Sequence, residues 1–301
     1  MNELLAEDYR CGYVALVGRP NVGKSTLMNR ILGQKLSIVT AKPQTTRQRI
    51  AGIKTTDRGQ VIYIDTPGIH LAAKSALNRY MNRIARASFQ DVDLVLFLVE
   101  AGRWTRQDEH VARTLADASV PVMLVVNKID LLQDKSELLA FLDQQAKSGR
   151  FAEVFLVAAR SGDGVDSLED RVLEALPFSR PFYDEDQFTD RSERFLAAEL
   201  IREQLMLRLH QELPYALTVE IEEFREEAGL IRIGAIVWVE RAGQKQIVIG
   251  KGGDVLKHVG SRARRELEEL FEKKVFLRLW VKVSRDWSDN ERALRQFGYD
   301  E

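Results

Sequence analysis

Eight residues, GRPNVGKS (18–25), limit what this chain can fold into more than any other feature. They fit G-x-x-x-x-G-K-[ST] through Gly18, Gly23, Lys24 and Ser25, between the apolar run YVALV (13–17) and the helix-forming STLMNRILG. Strand, glycine loop and helix in that order make a phosphate cradle. The loop turns backbone N–H groups inward, and the helix adds the positive end of its dipole. In such a cradle Lys24 reaches the β- and γ-phosphates and the Ser25 hydroxyl ligates Mg2+. Asn21, Val22 and Thr26 of the same stretch count among the nucleotide-binding residues.

The cradle needs a sheet to carry it, and the next 150 residues supply one. QVIYID, DLVLFLVE, PVMLVV and EVFLV are continuous apolar runs, with helices expected near 25–32, 74–89, 106–118, 134–147 and 166–175. Strands buried on both faces and joined by helices read as an α/β fold with a mostly parallel, doubly wound sheet. Ligands of such sheets sit at the carboxyl ends of the strands. IDTPG closes the second run there: Asp65 is placed to hold the metal through water, Thr66 and Pro67 form the turn, and the Gly68 N–H meets the γ-phosphate.

VVNKID decides the base. Asn127 and Lys128 follow a buried strand, and Asp130 can accept from both guanine N1–H and the exocyclic amino group. Adenine offers an acceptor at N1 and no amino group at C2, so each polar group left unpaired would cost about 1–3 kcal/mol. The nucleotide is therefore GTP. Within KPQTTRQR a threonine hydroxyl is expected to complete the Mg2+ shell; Thr46 is favoured and Thr45 stays open. In VAARSGDGVD, Ala158 and Ala159 form the last guanine loop, with the Ala159 N–H offered to O6.

At 301 residues, 45% apolar and 30% charged, the chain is long enough for two cores. Its single cysteine, Cys11, excludes an intramolecular disulfide and a cysteine-based metal centre, which fits a reducing cytoplasm. No apolar run approaches the roughly 18 residues that span a bilayer, and MNELLAEDYR does not read as a signal, so a soluble protein is expected. The net charge of −1 conceals a local imbalance. Residues 184–227 hold 13 acids against 5 Lys/Arg, whereas 241–285 hold 12 Lys/Arg against 5 acids. A basic segment of that kind is a footprint for a polyanion.

After Pro177 the pattern changes. PFSRPFYDEDQFTDRSERF reads as a linker and a capped helix start, giving domains at 1–180 and 195–301 with 181–194 between them. A helix and two strands are then expected, followed by QKQIVI as a strand, a glycine turn, a long basic helix, and VFLRLWVKV as the last strand. The turn is G-x-x-G, Gly250 to Gly253, carrying Lys251 and Gly252, with Lys257 one turn into the helix. Such a turn brings backbone close to phosphate and resembles the KH module, which clamps about four nucleotides of single-stranded RNA. Ile249 and Val255 are expected to form the floor under the bases.

The motifs GRPNVGKS, QTTR, DTPG, NKID, TDRSERF and VIGKGG, in that order along nearly the whole chain, resemble the Era family of bacterial GTPases. The resemblance implies a P-loop GTPase domain followed by a type II KH domain, and a slow GTPase that uses Mg2+. It also implies binding to small-subunit (16S) ribosomal RNA near its 3′ end, with a role in maturation of the 30S subunit. A cytoplasmic monomer goes with it, as does peripheral association with the inner face of the membrane. Lys24, Asn21 and Thr46 are the catalytic candidates, Asn21 as a ligand for K+. Ras-type GTPases place a glutamine after the DTPG motif, and this chain has Ile69, which cannot orient water; His70 is the nominal alternative base. The family's last guanine loop reads Ser-Ala where Ala158-Ala159 stand. The alternative function is an RNA-binding protein that uses GTP mainly as a structural or regulatory ligand.

Overall fold

The computed structural model describes residues 8–69, 75–89, 91–132, 138, 141–143, 145, 149–210 and 213–299. Two compact units result: Met1–Ser37, Thr46–Ala73 and Met81–Asp190 in one, Ile38–Thr45, Lys74–Tyr80 and Arg191–Glu301 in the other. His70 lies outside the described residues, as does most of the helix expected over 134–147.

The N-terminal unit carries β1 (Arg10–Val17), α1 (Lys24–Leu32), β2 (Ile50–Thr56), β3 (Gly59–Asp65), the part of α2 (Ala76–Ala87) from Met81 onward, β4 (Leu94–Glu100), α3 (Arg106–Leu115), β5 (Val122–Asn127), β6 (Glu153–Val157) and α4 (Val165–Ala175). The sheet order is β2-β3-β1-β4-β5-β6, with β2 antiparallel to β3 and every other pair parallel. The register puts one set of alternate residues on a single face of the sheet. Ala15, Val17, Phe97, Leu124 and Val126 pack there with Val111 and Leu115 of α3, and Cys11, Ile62 and Ile64, on the same face toward the β2 edge, pack with Ala51 and Ile53. Helix α3 starts on a reciprocal cap, in which Thr105 Oγ1 accepts from Asp108 N (3.3 Å) and Asp108 Oδ2 from Thr105 N (2.9 Å).

Strand β2 has no counterpart among the sequence expectations. IAGIKTT mixes apolar, glycine and polar positions, because it lies at the edge of the sheet and its partner on the outer side is a loop. That loop comes from the stretch read as a linker. Ile53 N donates to Phe188 O (2.9 Å), Thr189 Oγ1 to Ala51 O (2.7 Å), and the Gln60 amide binds the backbone of Phe182 and Tyr183. These bonds cover what would otherwise be an exposed edge.

In the C-terminal unit α5 (Glu193–Arg208) starts at Ser192, whose Oγ accepts from Phe195 N (3.3 Å). It is followed by β7 (Leu217–Glu227), β8 (Leu230–Val239), α6 (Ala242–Ile249), α7 (Asp254–Phe271), β9 (Lys274–Val283) and α8 (Glu291–Gln296). The sheet runs β7-β8-β9, antiparallel and then parallel. One face is buried under α5, α6 and α7 through Leu200, Ile201, Leu205, Val248, Val259, Ala263 and Leu267. Helix α5 also holds the short segment Ile38–Thr45: Glu203 accepts from Val39 N (2.8 Å), and the buried Arg202, paired with Glu199, donates to Thr45 O.

QKQIVI is a helix, α6, and not the strand its three consecutive β-branched residues suggest. Gln244 Oε1 accepts from the backbone N–H groups of Glu240 and Arg241 (2.9 Å each), which starts the helix, and Gly250 stops it. Local β preference is weak against such a cap and against packing of Val248 into the core. The glycine turn therefore joins two helices.

Candidate functional site

Register brings the sequence motifs into one row at the carboxyl edge of the N-terminal sheet. Leu16 pairs with Asp65, Glu100 with Asn127 and Asn127 with Val157, so the loops after β1, β3, β5 and β6 leave the same edge. At the first of them α1 begins on Gly23, in the left-handed region at φ 105°, with no side-chain cap and no acid in its first turn. Its leading N–H groups and dipole are left for an anion. A Cβ on Gly23 would lie 2.2 Å from Asn127 Nδ2, so the loop after β5 packs directly on the phosphate loop.

Lys24 is buried, and its Nζ donates to the carbonyls of Gly18 and Arg19 (3.2 Å each). Burial pushes its pKa down to about 8, against the pull of Asp65. A polyphosphate beside it would favour the charged form further and raise the pKa again. Ser25 Oγ donates to Asp65 Oδ2 at 2.7 Å, Thr46 Oγ1 lies 3.3 Å from the same oxygen, and the two hydroxyls are 3.0 Å apart. Thr45 Oγ1 instead donates to Lys42 O and lies 2.7 Å from Thr40 Oγ1, so of the two threonines Thr46 stands at the site. Burial raises the Asp65 carboxyl, opposed by Lys24 and the hydroxyl bonds, and its Oδ1 is buried without a hydrogen-bond partner. Two hydroxyls and a carboxylate that keeps one oxygen unsatisfied are hard donors that fit Mg2+. Thr66, Pro67, Gly68 and Ile69 follow in the buried turn, Thr66 Oγ1 donating to Leu16 O (2.8 Å). Ile69 packs into the core with Val17 and Val95.

Asn127 ties the loops together. Its Nδ2 donates to Val22 O (2.7 Å) and its Oδ1 accepts from Ala159 N (2.9 Å). The Ala159 N–H expected to meet guanine O6 is thus already engaged and reaches a base only as a shared donor. Ala158 bridges to Asp163, and Asp130 is exposed at the mouth of the loop after β5. Lys128 adopts φ 67° and its Nζ reaches Glu100 at 3.3 Å. Asn21 is exposed with φ 64°, and Thr26 is half-buried on α1.

Arg19 escaped the sequence reading, since it occupies a variable position of the motif. Its guanidinium binds Glu100 (2.8 Å) at the end of β4 and Asp108 (3.2 Å) at the start of α3. Burial raises the Glu100 carboxyl, but Arg19 and Lys128 outweigh it and hold it below the usual carboxylate range. The acid after DLVLFLV was the available signal: a carboxylate ending a buried strand needs a cation.

In the C-terminal unit Gly250 (φ 78°) admits no side chain, as a Cβ would lie 2.1 Å from Asp254 Oδ1. Lys251 and Gly252 are exposed at the turn. Beside it a groove of about 410 Å³ is lined by Gly253, Leu256, Lys257, Arg264, Leu277 and Leu279, among others. All five of Ile249, Val255, Leu256, Leu277 and Leu279 pack against the core, but the groove is lined by Leu256, Leu277 and Leu279 and not by Ile249 or Val255. Because α6 is helical, Ile249 is turned inward.

Residues 13–128 match the model of a 50S ribosome-binding GTPase and residues 212–288 that of a KH domain. The chain is similar to GTPase Era of Stenotrophomonas maltophilia (strain K279a), 54% identical over 292 residues, covering 97% of this chain and 98% of that protein. Two crystal structures, each 38% identical with a TM-score of 0.94, cover 97% of this chain and are themselves fully covered. One is an Aquifex aeolicus Era variant bound to GDP·AlF4−, the other Era in complex with MgGDPNP and nucleotides 1506–1542 of 16S ribosomal RNA.

Proposed function

The chain belongs to the Era family of GTPases, a P-loop GTPase fold with a mostly parallel sheet followed by a KH domain, and from that premise we propose that it is a GTP-driven switch acting on the 3′ end of small-subunit ribosomal RNA during 30S assembly. The observation that carries the reading is the open groove beside a G-x-x-G turn in a chain that also hydrolyses GTP. The solved Era complex with MgGDPNP and 16S RNA supports it.

In this reading residues 1–180 bind GTP and 195–301 bind RNA, with 181–194 between them. The phosphate loop, from Gly18 through Asn21, Val22, Gly23, Lys24 and Ser25 to Thr26, cradles the phosphates. Ser25 and Thr46 hold Mg2+, and Asp65 holds it through water. Thr66, Pro67 and Gly68 face the γ-phosphate. Asn127, Lys128, Asp130, Ala158 and Ala159 read guanine. Mg2+ would supply neutralisation of the charge that develops on the transferred phosphoryl oxygens. Ile69, in the core, orients no water, so unassisted turnover is slow and rests on Lys24, Mg2+ and a K+ ion held by Asn21. Gly250, Lys251, Gly252, Gly253 and Lys257 clamp the RNA backbone, with Ile249 supporting the turn from within. The same reading makes the protein a cytoplasmic monomer whose contact with the membrane is peripheral; no helix among the described residues is long and apolar enough to cross one.

Turnover of GTP measured with and without the 16S 3′ fragment tests the switch. RNA binding and a change in turnover are expected. Unaltered turnover with RNA bound would favour the second reading, in which GTP serves mainly as a structural ligand.

A further inference from the structure

Strand β9 has two faces, and the groove uses one. Leu277 and Leu279 line the groove, and Val275 and Val281 are buried. The alternate residues Lys274, Phe276, Arg278, Trp280 and Lys282 are exposed on the opposite face, as the period of a strand requires. Cation and ring alternate along its length. β9 is an edge strand, so groove and outer face meet at one free edge.

The rings are set for stacking. Phe276 and Trp280 are each 41% exposed. Arg232 and Arg278 flank Phe276, their guanidinium carbons 5.4 and 5.3 Å from its centroid. Trp280 lies over Gly234, where an added Cβ would come within 3.2 Å of its ring. Across the sheet the chemistry differs. Trp238 donates its indole N–H to Glu220 and packs against Phe297, and Glu227 pairs with Arg232. The acids of β7 reach the far end of β9, where Glu222 lies 3.9 Å from Lys282, while Arg278 has no carboxylate partner among the described residues. Phe276 and Trp280 stand about 13 Å apart, four strand residues, with Arg278 midway.

We propose that the outer face of β9, through Phe276, Arg278 and Trp280, is a second contact surface for single-stranded RNA, taken by nucleotides that run on from the groove over the β9 edge. Rings stack bases of any identity, and cations between them meet the phosphates. A polyanion is favoured over a protein partner by the charge of the edge and by its continuity with the groove. The inference rests on the RNA-binding reading above.

The test uses the full chain and pieces of the 16S 3′ fragment: the best-bound six-nucleotide piece, which fills the groove alone, and the same piece extended to fourteen. Phe276→Ala/Trp280→Ala should bind the short RNA within twofold of wild type and lose the gain from the longer one, tenfold or more. Phe276→Tyr/Trp280→Phe should retain it, and Arg278→Gln should flatten the salt dependence of the longer RNA by about 0.7 in log–log slope. If the wild-type chain binds neither length, the RNA reading itself fails. If it binds both and the alanine pair, still folded, holds the longer RNA within twofold, this surface is wrong. Loss of binding to 30S subunits with both RNA affinities intact would assign the face to a protein and likewise overturn the proposal.

Discussion

One methyl group on Gly23 tests how the phosphate loop and the guanine loop depend on each other. The Cβ of Gly23→Ala would stand 2.2 Å from Asn127 Nδ2, the atom that donates to Val22 O. At φ 105° the new side chain also sits where L residues are strained, at a cost of about 1–2 kcal/mol. Displacing Asn127 leaves a buried carbonyl unpaired, for about 1–3 kcal/mol more. Without ligand the loop can relax, so the thermal midpoint should move little. Bound nucleotide needs the original geometry, and the loss falls on affinity. Together the two effects weaken binding roughly thirtyfold to a few thousandfold, at about 1.4 kcal/mol per factor of ten.

GDP and GTP should suffer alike, because both place a β-phosphate in the loop. Calorimetric titration of both nucleotides into Gly23→Ala, Asn127→Ala and the double variant measures the effect and its origin. With Asn127 truncated the methyl has nothing to strike, so the double variant should lose less than the two single losses combined. Affinity of Gly23→Ala within threefold of wild type, or strictly additive losses, would refute the steric account.

Asp130→Asn should weaken GTP and favour xanthosine triphosphate, whose C2 oxygen accepts from an amide; an unchanged preference in competition binding would remove the guanine assignment. Thr46→Ala should raise the Mg2+ concentration needed for GTP binding by about tenfold, the lower end of what altered ligation costs, while Thr45→Val leaves it in place. Replacing Na+ by K+ at constant ionic strength should speed GTP turnover, and Asn21→Ala should erase the difference; equal rates in both salts would exclude Asn21 as a cation ligand. Lys251→Asp/Gly252→Asp should weaken binding of single-stranded RNA at fixed salt by roughly thirtyfold and spare GTP binding, since two like charges at close range each repel by about 1 kcal/mol even in water; RNA affinity within twofold of wild type would refute the clamp.

The nucleotide site was legible in the sequence because its parts are short, rigid and local. A glycine loop between strand and helix, an aspartate ending one buried strand and an asparagine ending another specify their own backbone, and the sheet register merely aligns them. What stayed hidden depends on partners distant in sequence. Arg19 is an arbitrary residue of the loop until Glu100 and Asp108 stand beside it. Strand β2 carries too few apolar residues to announce itself, and exists because β3 lies on one side and Phe188 and Thr189 on the other.

The C-terminal unit shows how a local misreading carries into chemistry. IVI at 247–249 satisfies a strand by propensity, and a strand would send Ile249 and its neighbours alternately to two faces. As the last turn of α6, the same residues put Val248 in the core, leave Ile247 in solvent and turn Ile249 inward. The floor of the groove then has to come from elsewhere, and β9 supplies it with Leu277 and Leu279. A strand that lends one set of alternate residues to a groove has committed its register. Its other set, Phe276, Arg278 and Trp280, is thereby held on the opposite face, and a one-residue slip that buried those rings would expose Val275 and Val281.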